Sequence, residues 1–242
     1  MTIRRFYFEN INNPSIGDSI SIVGQEHKHL SSVLRCAVGD TIVLWCGDSN
    51  DYSAIIDSIS KDKSTCTIKS ITRNKAEINK DIVLYLGLLK NADRYEFAVQ
   101  KCVELGVSKI IPFASKNTVA KNINIDRLNT IALNAIKQCG RSRMVNVEPV
   151  VNFQKVLEDI TINPAVLFAY EKAVTPIKFA LQSKKLASAS ALSVVIGSEG
   201  GFDDDEIMQV YDTTIVPVGL GNRILRTETA AISVMSLLTI GL

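Results

Sequence analysis

The sequence has few aromatic residues, few histidines and no long uninterrupted apolar run. Aromatic side chains make up 6% of its 242 residues, with a single tryptophan and two histidines. No stretch of 18 or more apolar residues is present, so an ordinary transmembrane helix is excluded. The N-terminal segment turns polar by Glu9, which is not the pattern of a signal peptide. We therefore expect a cytoplasmic protein that does not bind membranes.

Closely spaced cysteine pairs are also missing. The chain has five cysteines, an odd number, and no two of them have CxxC spacing. Four of them, Cys36, Cys46, Cys66 and Cys102, lie in apolar stretches, where a thiol packs as a small hydrophobic group. A disulfide framework or a zinc site is therefore not expected, and the sequence predicts no bound metal.

The chain lacks a strong overall charge, but its charge is unevenly distributed. Net charge is +2 at pH 7. Residues 75–150 carry 12 Lys or Arg against 7 Asp or Glu, whereas residues 151–242 carry 7 against 10. A basic middle third is compatible with phosphate contacts. A solvated helix face would give the same composition, so charge alone leaves nucleic-acid binding open.

The first 74 residues are rich in β-branched side chains and turns. A helical spacing of apolar residues occupies residues 25–36. Short strands separated by Gly, Asn, Asp and Pro turns favour a small barrel. The predicted strands are residues 4–9, 19–23, 41–46, 52–59 and 65–71.

The hydrophobic period changes after a polar stretch at residues 73–81. Residues 82–89 form a continuous apolar run, which is typical of a strand buried on both faces of a parallel sheet. A helix capped by Asp93 and Glu96 is predicted to follow, and residues 183–190 have the composition of a flexible connection. Alternating strands and helices then continue to the end, which predicts an α/β domain. We place the domains at residues 1–74 and 75–242.

The last fifty residues contain two apolar strands that each end in a glycine-rich segment. Residues 192–196 lead into 197–201 (GSEGG), and residues 214–218 lead into 219–221 (GLG). Ligands of α/β proteins bind outside the carboxyl ends of strands, where glycine lets the backbone approach closely. The two exits therefore predict one pocket edge. Asp203 and Glu206 have capping-box spacing, so the acidic run that they belong to is interpreted as a helix start rather than a metal site.

These two segments also carry a resemblance to a known family. Residues 196–201 (IGSEGG) and 221–230 (GNRILRTETA), in this order near the C-terminus, resemble the paired signature of the SPOUT class of RNA methyltransferases. More narrowly the chain is similar to the RsmE family, whose N-terminal and βαβ signatures match residues 29–35 and 90–107. The resemblance implies an α/β fold: a SPOUT-type parallel sheet with a C-terminal trefoil knot, preceded by a small PUA-like, RNA-binding β-barrel.

The same resemblance implies a reaction and partners. The cofactor of the implied reaction would be S-adenosylmethionine, and the product would be a uridine methylated at N3 in 16S ribosomal RNA. The substrate RNA would be either free or part of the assembled small ribosomal subunit. It also implies a homodimer. No metal is required by this chemistry. The residues expected to bind the cofactor share a place at strand ends or in glycine-rich loops: Phe168, Ala169, Tyr170, Ile196, Gly197, Ser198, Gly200, Gly201, Leu220, Gly221, Ile224 and Leu225.

Charged residues beside these loops are the catalytic candidates. Arg223 and Arg226 are expected to stabilise the anion that develops when uridine N3 loses its proton. Glu199 and Glu228 are candidate bases or orienting groups, although each acid would equally serve to hydrogen-bond the loop. The residues expected to contact RNA are basic: Arg4, Arg5, Arg35, Arg141 and Arg143. For the last two, a solvated helix end remains an alternative.

Three positions depart from the family pattern. Ser198 stands where the first glycine loop usually has proline, and Lys116 and Asn117 stand where an acid and an arginine are common. Two alternatives therefore stay open. One is a SPOUT enzyme that modifies another RNA or a ribose 2′-hydroxyl. The other is an RNA-binding assembly module without catalytic activity. A nucleotide-phosphate binder is not favoured, because neither loop has the P-loop lysine or the dinucleotide glycine spacing.

Overall fold

The computed structural model describes residues 4–9, 13–120, 122–163 and 165–240. The chain divides into two compact units. The first comprises Met1–Glu77 together with Ile136–Met144, and the second comprises Ile78–Ala135 together with Val145–Leu242. The sequence placed the division at residue 74. The structure places it three residues later and also assigns nine residues from the middle of the chain to the first unit.

The first unit is a curled, mostly antiparallel sheet. Its strands are β1 (Arg5–Tyr7), β2 (Ser19–Val23), β3 (Thr41–Trp45), β4 (Asn50–Ile59) and β5 (Lys63–Arg73). They lie in the order β1-β3-β4-β5-β2, with β1 parallel to β3 and the other pairs antiparallel. In the part of the chain that the structure describes, β1 and β2 are the two edges and do not pair with each other. The predicted barrel is therefore an open half-barrel.

Alternating burial explains this sheet. On β4, Tyr52, Ala54 and Ile56 point inward while their neighbours are more accessible, as expected for a strand with one covered face. Phe6 and Leu30 complete the core. The predicted helix at residues 25–36 is split into α1 (Gly24–Lys28) and a π-helical turn, His29–Val33.

The second unit contains a fully parallel sheet of eight strands. Its order is β11-β13-β10-β12-β6-β7-β8, and β9 also pairs with β7. The strands are β6 (Asp81–Gly87), β7 (Lys109–Ala114), β8 (Asn146–Val147), β9 (Val151–Asn152), β10 (Val166–Ala169), β11 (Thr175–Pro176), β12 (Ala191–Ile196) and β13 (Val218–Gly219). Of the described residues in the predicted strand at 214–218, only Val218 lies in a strand of the sheet, as the first residue of β13.

Helices connect these strands, as the alternating pattern predicted. They are α2 (Ala92–Glu104), α3 (Ile125–Cys139), α4 (Phe153–Thr161), α5 (Ile177–Leu181), α6 (Lys184–Ser188), α7 (Asp204–Tyr211) and α8 (Thr227–Thr239). The last turn of α3 belongs to the first unit. The second unit packs α2 against α8. None of the described helices has the length and apolarity that a membrane crossing requires.

Two local predictions are corrected. The N-cap of α2 is Asn91, whose side chain accepts a hydrogen bond from the Arg94 backbone N–H, so the Asp93 capping box is not formed. Asp93 lies in the first turn, where its charge suits the helix dipole. The stretch at residues 183–190 is not an irregular connection, because Ser183 caps the short helix α6. The capping box of Asp203 and Glu206 at the start of α7 is confirmed.

Candidate active site

The carboxyl edge of the parallel sheet gathers four loops. Strands β10, β12, β6 and β7 are consecutive neighbours, and their registers place Ala169 beside Ile196 and Ile196 beside Leu86. Because all four strands run the same way, the loops that follow them emerge at the same edge. The segments at residues 88–91, 115–118, 170–172 and 197–201 are therefore brought together by the sheet itself.

Close backbone approach holds the first glycine loop against β6. A Cβ atom placed on Gly87 would lie 2.3 Å from the backbone nitrogen of Ser198, a distance that real Cβ atoms do not reach. Glycine is therefore required at the end of β6 for the loop after β12 to pass there. At the same end of the loop, the Thr227 hydroxyl at the start of α8 donates a 2.9 Å hydrogen bond to the Gly197 carbonyl.

A cavity lies between the two glycine-rich exits. Its walls include Gly197, Ser198 and Gly201 from the first exit and Leu220 and Gly221 from the second. The smaller part measures about 90 Å³ and adjoins a larger part of about 380 Å³ that shares five lining residues with it. Together these volumes fall within the usual range for small-molecule sites, about 300–1,000 Å³. The convergence predicted from the sequence is confirmed.

Most residues predicted to bind the cofactor line this cavity. The two parts include Ala169, Tyr170, Ile196, Gly197, Ser198, Gly200, Gly201, Leu220, Gly221, Ile224 and Leu225. Phe168 does not. Its side chain is fully buried, and its ring centroid lies 4.7 Å from that of Phe202. The side chains of successive strand residues point to opposite faces of a sheet. Phe168 is therefore a core residue that supports the cavity from behind.

Several lining residues were not predicted. Phe202 forms part of the wall and also joins an aromatic cluster with Phe113 and Phe153. Glu171 lines both parts of the cavity, and Thr227 and Ala230 contribute the start of α8. Glu171 could have been found, since it is an acid directly after a buried strand at the binding edge. The α8 residues carry no such signal, because their position depends on how the helix meets the loop.

The predicted catalytic arginines lie at the mouth of the cavity. Arg223 lines the smaller part, and Arg226, the N-cap residue of α8, lines the larger part. Both side chains are exposed. A pair of guanidinium groups beside a cavity edge favours binding of an anion or of a group that becomes anionic during a reaction.

The two acids hold neighbouring loops. A Glu199 carboxylate oxygen accepts a 3.3 Å hydrogen bond from the Lys90 backbone N–H. Glu228 pairs with Arg94 at 3.8 Å, and only 12% of its side chain is exposed. The first contact joins the loop after β12 to the loop after β6. The second joins the start of α8 to the first turn of α2. This arrangement favours an orienting role for these acids.

The five arginines predicted to contact RNA all belong to the first unit. Arg35 is exposed and has a left-handed backbone, φ 49°. Arg4 is partly exposed and paired with Asp40. Arg143 is partly accessible, and its backbone N–H donates to Glu77. These three remain candidates for phosphate contact.

The other two arginines are built into the unit. Arg5 donates to Asp51 and Ser142, and 15% of its side chain is exposed. Arg141 is 2% exposed and forms an ion pair with Glu77 at 2.9 Å. A guanidinium held in this way does not reach a phosphate in solvent. The prediction for Arg141 is therefore corrected to a structural role.

Burial and hydrogen bonding act in opposite directions on Glu77. Burial by itself raises the pKa of a carboxyl group. The Arg141 guanidinium and the backbone N–H groups of Ser142 and Arg143 outweigh that effect, so the pKa of Glu77 is lowered from its usual value. The carboxylate remains charged because every donor around it favours the ionised form.

Metal-binding side chains do not cluster in the part of the chain that the structure describes. Among the described residues, no group of three or more His, Cys, Asp or Glu side chains has the arrangement of a metal site. Cys36, Cys46, Cys66 and Cys102 are buried, as predicted, and their thiols are free. Burial raises the pKa of Cys102 to about 12.

Comparison with known proteins agrees with this geometry. The model of the RNA methyltransferase domain family matches residues 76–239. Ribosomal RNA small subunit methyltransferase E of Bacillus subtilis is 31% identical over 241 residues, which cover 95% of this chain and 94% of the relative. The Mesomycoplasma hyopneumoniae protein of the same name is 35% identical over 174 residues, covering 70% and 73%.

Solved structures are similar over the full length. The Neisseria gonorrhoeae ribosomal RNA small subunit methyltransferase E, crystallised with S-adenosyl methionine, is 26% identical with a TM-score of 0.85, covering 99% of this chain and 98% of that one. A methyltransferase from Legionella pneumophila in complex with the same cofactor is also 26% identical, with a TM-score of 0.80 and coverage of 100% and 98%. This chain therefore belongs to the ribosomal RNA small subunit methyltransferase E family.

Proposed function

We propose that this protein transfers a methyl group from S-adenosylmethionine to N3 of a uridine in 16S ribosomal RNA. The observation that carries the proposal is the cavity between the two glycine-rich exits at the carboxyl edge of the parallel sheet, in a chain of this family. Relatives crystallised with the cofactor support its identity. The 16S substrate is supported by the names of the relatives, and the uridine N3 position by the resemblance described above.

The residues around the cavity fit this cofactor. Apolar walls from Ile196, Leu220 and Leu225 suit an adenine ring. No atom lies within 4 Å of a Cβ placed on Gly221, so the backbone there faces open space that a ligand can occupy. Glu171 provides a carboxylate at the cavity wall. Carboxylates accept hydrogen bonds from ribose hydroxyls at equivalent sheet edges, and we assign Glu171 this role.

The bound cofactor supplies an electrophilic methyl group on a sulfonium. Uridine N3 would lose its proton to water and take up this methyl group, with S-adenosylhomocysteine as the other product. The chain's contribution is to position the two reactants and stabilise the N3 anion. Arg223 and Arg226 lie at the mouth of the cavity, where such an anion would be held. Glu228 holds the start of α8, next to Arg226, against α2, and Glu199 holds the loop after β12 against the loop after β6.

RNA binding is assigned to the first unit. Arg35 and the accessible edges of Arg4 and Arg143 are the candidates for phosphate contact. We also propose a homodimer and a trefoil knot around α8. The resemblance supports both, and the exposed Phe97 on α2 and Leu237 on α8 offer apolar surface for a second copy. A cytoplasmic location follows from the proposed ribosomal substrate.

Labelled methyl transfer tests the proposal. The protein would be incubated with radiolabelled S-adenosylmethionine and either naked 16S RNA or assembled small subunits from cells that lack the modification. We expect incorporation at one uridine, with mass spectrometry of nuclease fragments placing the methyl group on N3. Label on a ribose, or on another RNA, would replace the substrate assignment. Calorimetry that detects no binding of S-adenosylmethionine would leave only an RNA-binding module.

A further inference from the structure

The loop after β7 packs directly on the first glycine loop of the cavity. Residues 115–118, here called the β7 loop, contain two of the positions that depart from the family pattern, Lys116 and Asn117. Ser198, the third departure, lies on the facing loop. Ser198 is far from Lys116 and Asn117 in sequence but close to them in the fold, because β7 and β12 flank β6.

Hydroxyl groups connect the two loops. Thr118 Oγ1 accepts a 2.9 Å hydrogen bond from the Ser115 backbone N–H and lies 3.0 Å from Ser115 Oγ. It donates to Ser198 Oγ at 3.4 Å, and Ser115 Oγ donates to the Gly201 carbonyl at 3.2 Å. Ser115 and Ser198 are both buried. Buried hydroxyls that satisfy one another fix the positions of the segments that carry them.

Two further contacts extend this connection. Asn117 Nδ2 donates to the Gly200 carbonyl at 3.3 Å, and a Cβ on Gly200 would lie 2.5 Å from the Asn117 carbonyl oxygen. The Lys116 backbone N–H donates to Glu206 at 2.8 Å. The Lys116 ammonium pairs with Asp203 and Asp205, which lowers the pKa of Asp203. Both ends of the segment at residues 198–206 are therefore held from the same side.

Ser198 needs such support. A serine leaves φ free to rotate, whereas a proline at this position would fix φ near −65°. Because Ser198 Oγ accepts the bond from Thr118, its own proton remains available to a group in the cavity that Ser198 lines. We infer that the β7 loop is a positioning element for the cofactor loop, in which the Ser115 and Thr118 hydroxyls supply the restraint that proline would otherwise give. This inference rests on the proposed function, since it concerns the same cavity.

The central test replaces Thr118 by valine, which keeps the shape of the side chain and removes the hydroxyl. Two readouts are needed. The first is amide hydrogen exchange at Gly201, whose N–H donates to the Ser198 carbonyl at 3.0 Å. The second is the affinity for S-adenosylmethionine, measured by calorimetry. We expect Thr118→Val to speed exchange at Gly201 and to weaken cofactor binding, each by about tenfold, the scale of one hydrogen bond. In methylation assays KM for the cofactor should rise while kcat changes less than twofold.

Two matched variants complete the experiment. Thr118→Ser keeps the hydroxyl and should behave as wild type in both readouts. Ser198→Pro introduced into Thr118→Val should restore cofactor affinity, because the ring replaces the lost restraint. The inference would be overturned if Thr118→Val had the same amide exchange rate at Gly201 and the same affinity for S-adenosylmethionine as wild type. If that variant does not fold, Ser115→Ala removes the bond to Gly201 and is judged by the same criteria.

The outcome is separable from the proposed function. Exchange at Gly201 is measured without cofactor, so it tests the positioning role even if wild-type protein binds no S-adenosylmethionine. Faster exchange in Thr118→Val with no cofactor binding by the wild type would support the restraint and remove the proposed function. Unchanged exchange with weakened cofactor binding would instead make Thr118 a direct ligand contact and would contradict the inference.

Discussion

Arg141 and Glu77 form a fully buried ion pair, with 2% of each side chain exposed and 2.9 Å between Nη2 and Oε2. The two residues are 64 positions apart in sequence. The pair joins the end of the first 77 residues to the short segment Ile136–Met144, and both belong to the first unit. Arg141, which the sequence predicted to contact RNA, is thus a buried residue of the first unit.

Removing one charge of this pair should destabilise the first unit. We expect Glu77→Gln to lower the free energy of unfolding by about 3–5 kcal/mol, because the buried Arg141 charge would lose its ion pair with Glu77. The single tryptophan, Trp45, is buried in this unit and reports its unfolding in urea by fluorescence. The control is Asp40→Asn, which breaks the partly exposed pair with Arg4 and should change little. Equal urea midpoints for Glu77→Gln and wild type would contradict a stabilising role of this ion pair.

The same pair predicts how stability depends on pH. The pKa of Glu77 is lower in the folded state than in the unfolded chain. Its stabilising contribution is therefore fully present above the unfolded value, about 4.3, and is lost as pH falls through the folded value. Urea midpoints of wild type and Glu77→Gln should converge as pH falls below about 4. A constant difference down to pH 2.5 would show that the carboxylate does not carry the effect.

Arg226 should be required for methyl transfer but not for folding. Its side chain is exposed and makes no capping bond to α8, so Arg226→Ala should leave the free energy of unfolding unchanged. We expect kcat to fall by about 10²–10³-fold through the loss of one anion-stabilising group. Lys109→Ala, at the amino end of β7, is the matched loss of a positive charge away from the cavity. Full activity in Arg226→Ala would remove this residue from the site.

Glu171 should contribute to cofactor affinity. We expect Glu171→Gln to weaken binding of S-adenosylmethionine by at least tenfold, because hydrogen bonds to a charged acceptor are the stronger ones. Calorimetry measures the change directly. Glu158→Gln on α4 removes an exposed carboxylate that lies outside the cavity and should have no effect. Unchanged affinity in Glu171→Gln would show that the carboxylate faces solvent rather than the ligand.

Gly87 should not tolerate a side chain. The Cβ of Gly87→Ala would meet the Ser198 backbone 2.3 Å away, so the cofactor loop must move. We expect a stability loss of about 1–3 kcal/mol together with loss of cofactor binding. Gly24→Ala tests whether a glycine-to-alanine change that only strains the backbone also weakens cofactor binding. Gly24 has φ +60° but no atom within 4 Å of the added carbon. That variant should lose some stability in thermal unfolding and keep its cofactor affinity.

Hydrophobic period and glycine placement predicted most of the fold. Strand β2 has the bounds expected from the sequence, and the two glycine exits meet at one cavity. These features depend on residues close together in the chain and on the shared direction of parallel strands. Local spacing therefore contains enough information to place them.

Features that depend on partners far apart in sequence were missed. The burial of Arg141 depends on Glu77, and the support of Ser198 depends on Thr118, 80 residues away. The structural role of Phe168 depends on Phe202. One local feature was also missed: Asn91, two positions before Asp93, caps α2 by accepting a hydrogen bond from the Arg94 backbone N–H. None of these pairings leaves a periodic signal in the sequence.

The assignment of Ile136–Met144 to the first unit restricts how the protein can be dissected. A fragment ending at Glu77 would lack Arg141, the ion-pair partner of that carboxylate. A fragment starting at Ile78 would contain residues 136–144 without the sheet of the first unit that they pack against. Grafting residues 136–144 onto the N-terminal half through a flexible tether is therefore the rational way to isolate it. A chimera of two homologues would fold only when residues 136–144 and the sheet of the first unit come from the same parent.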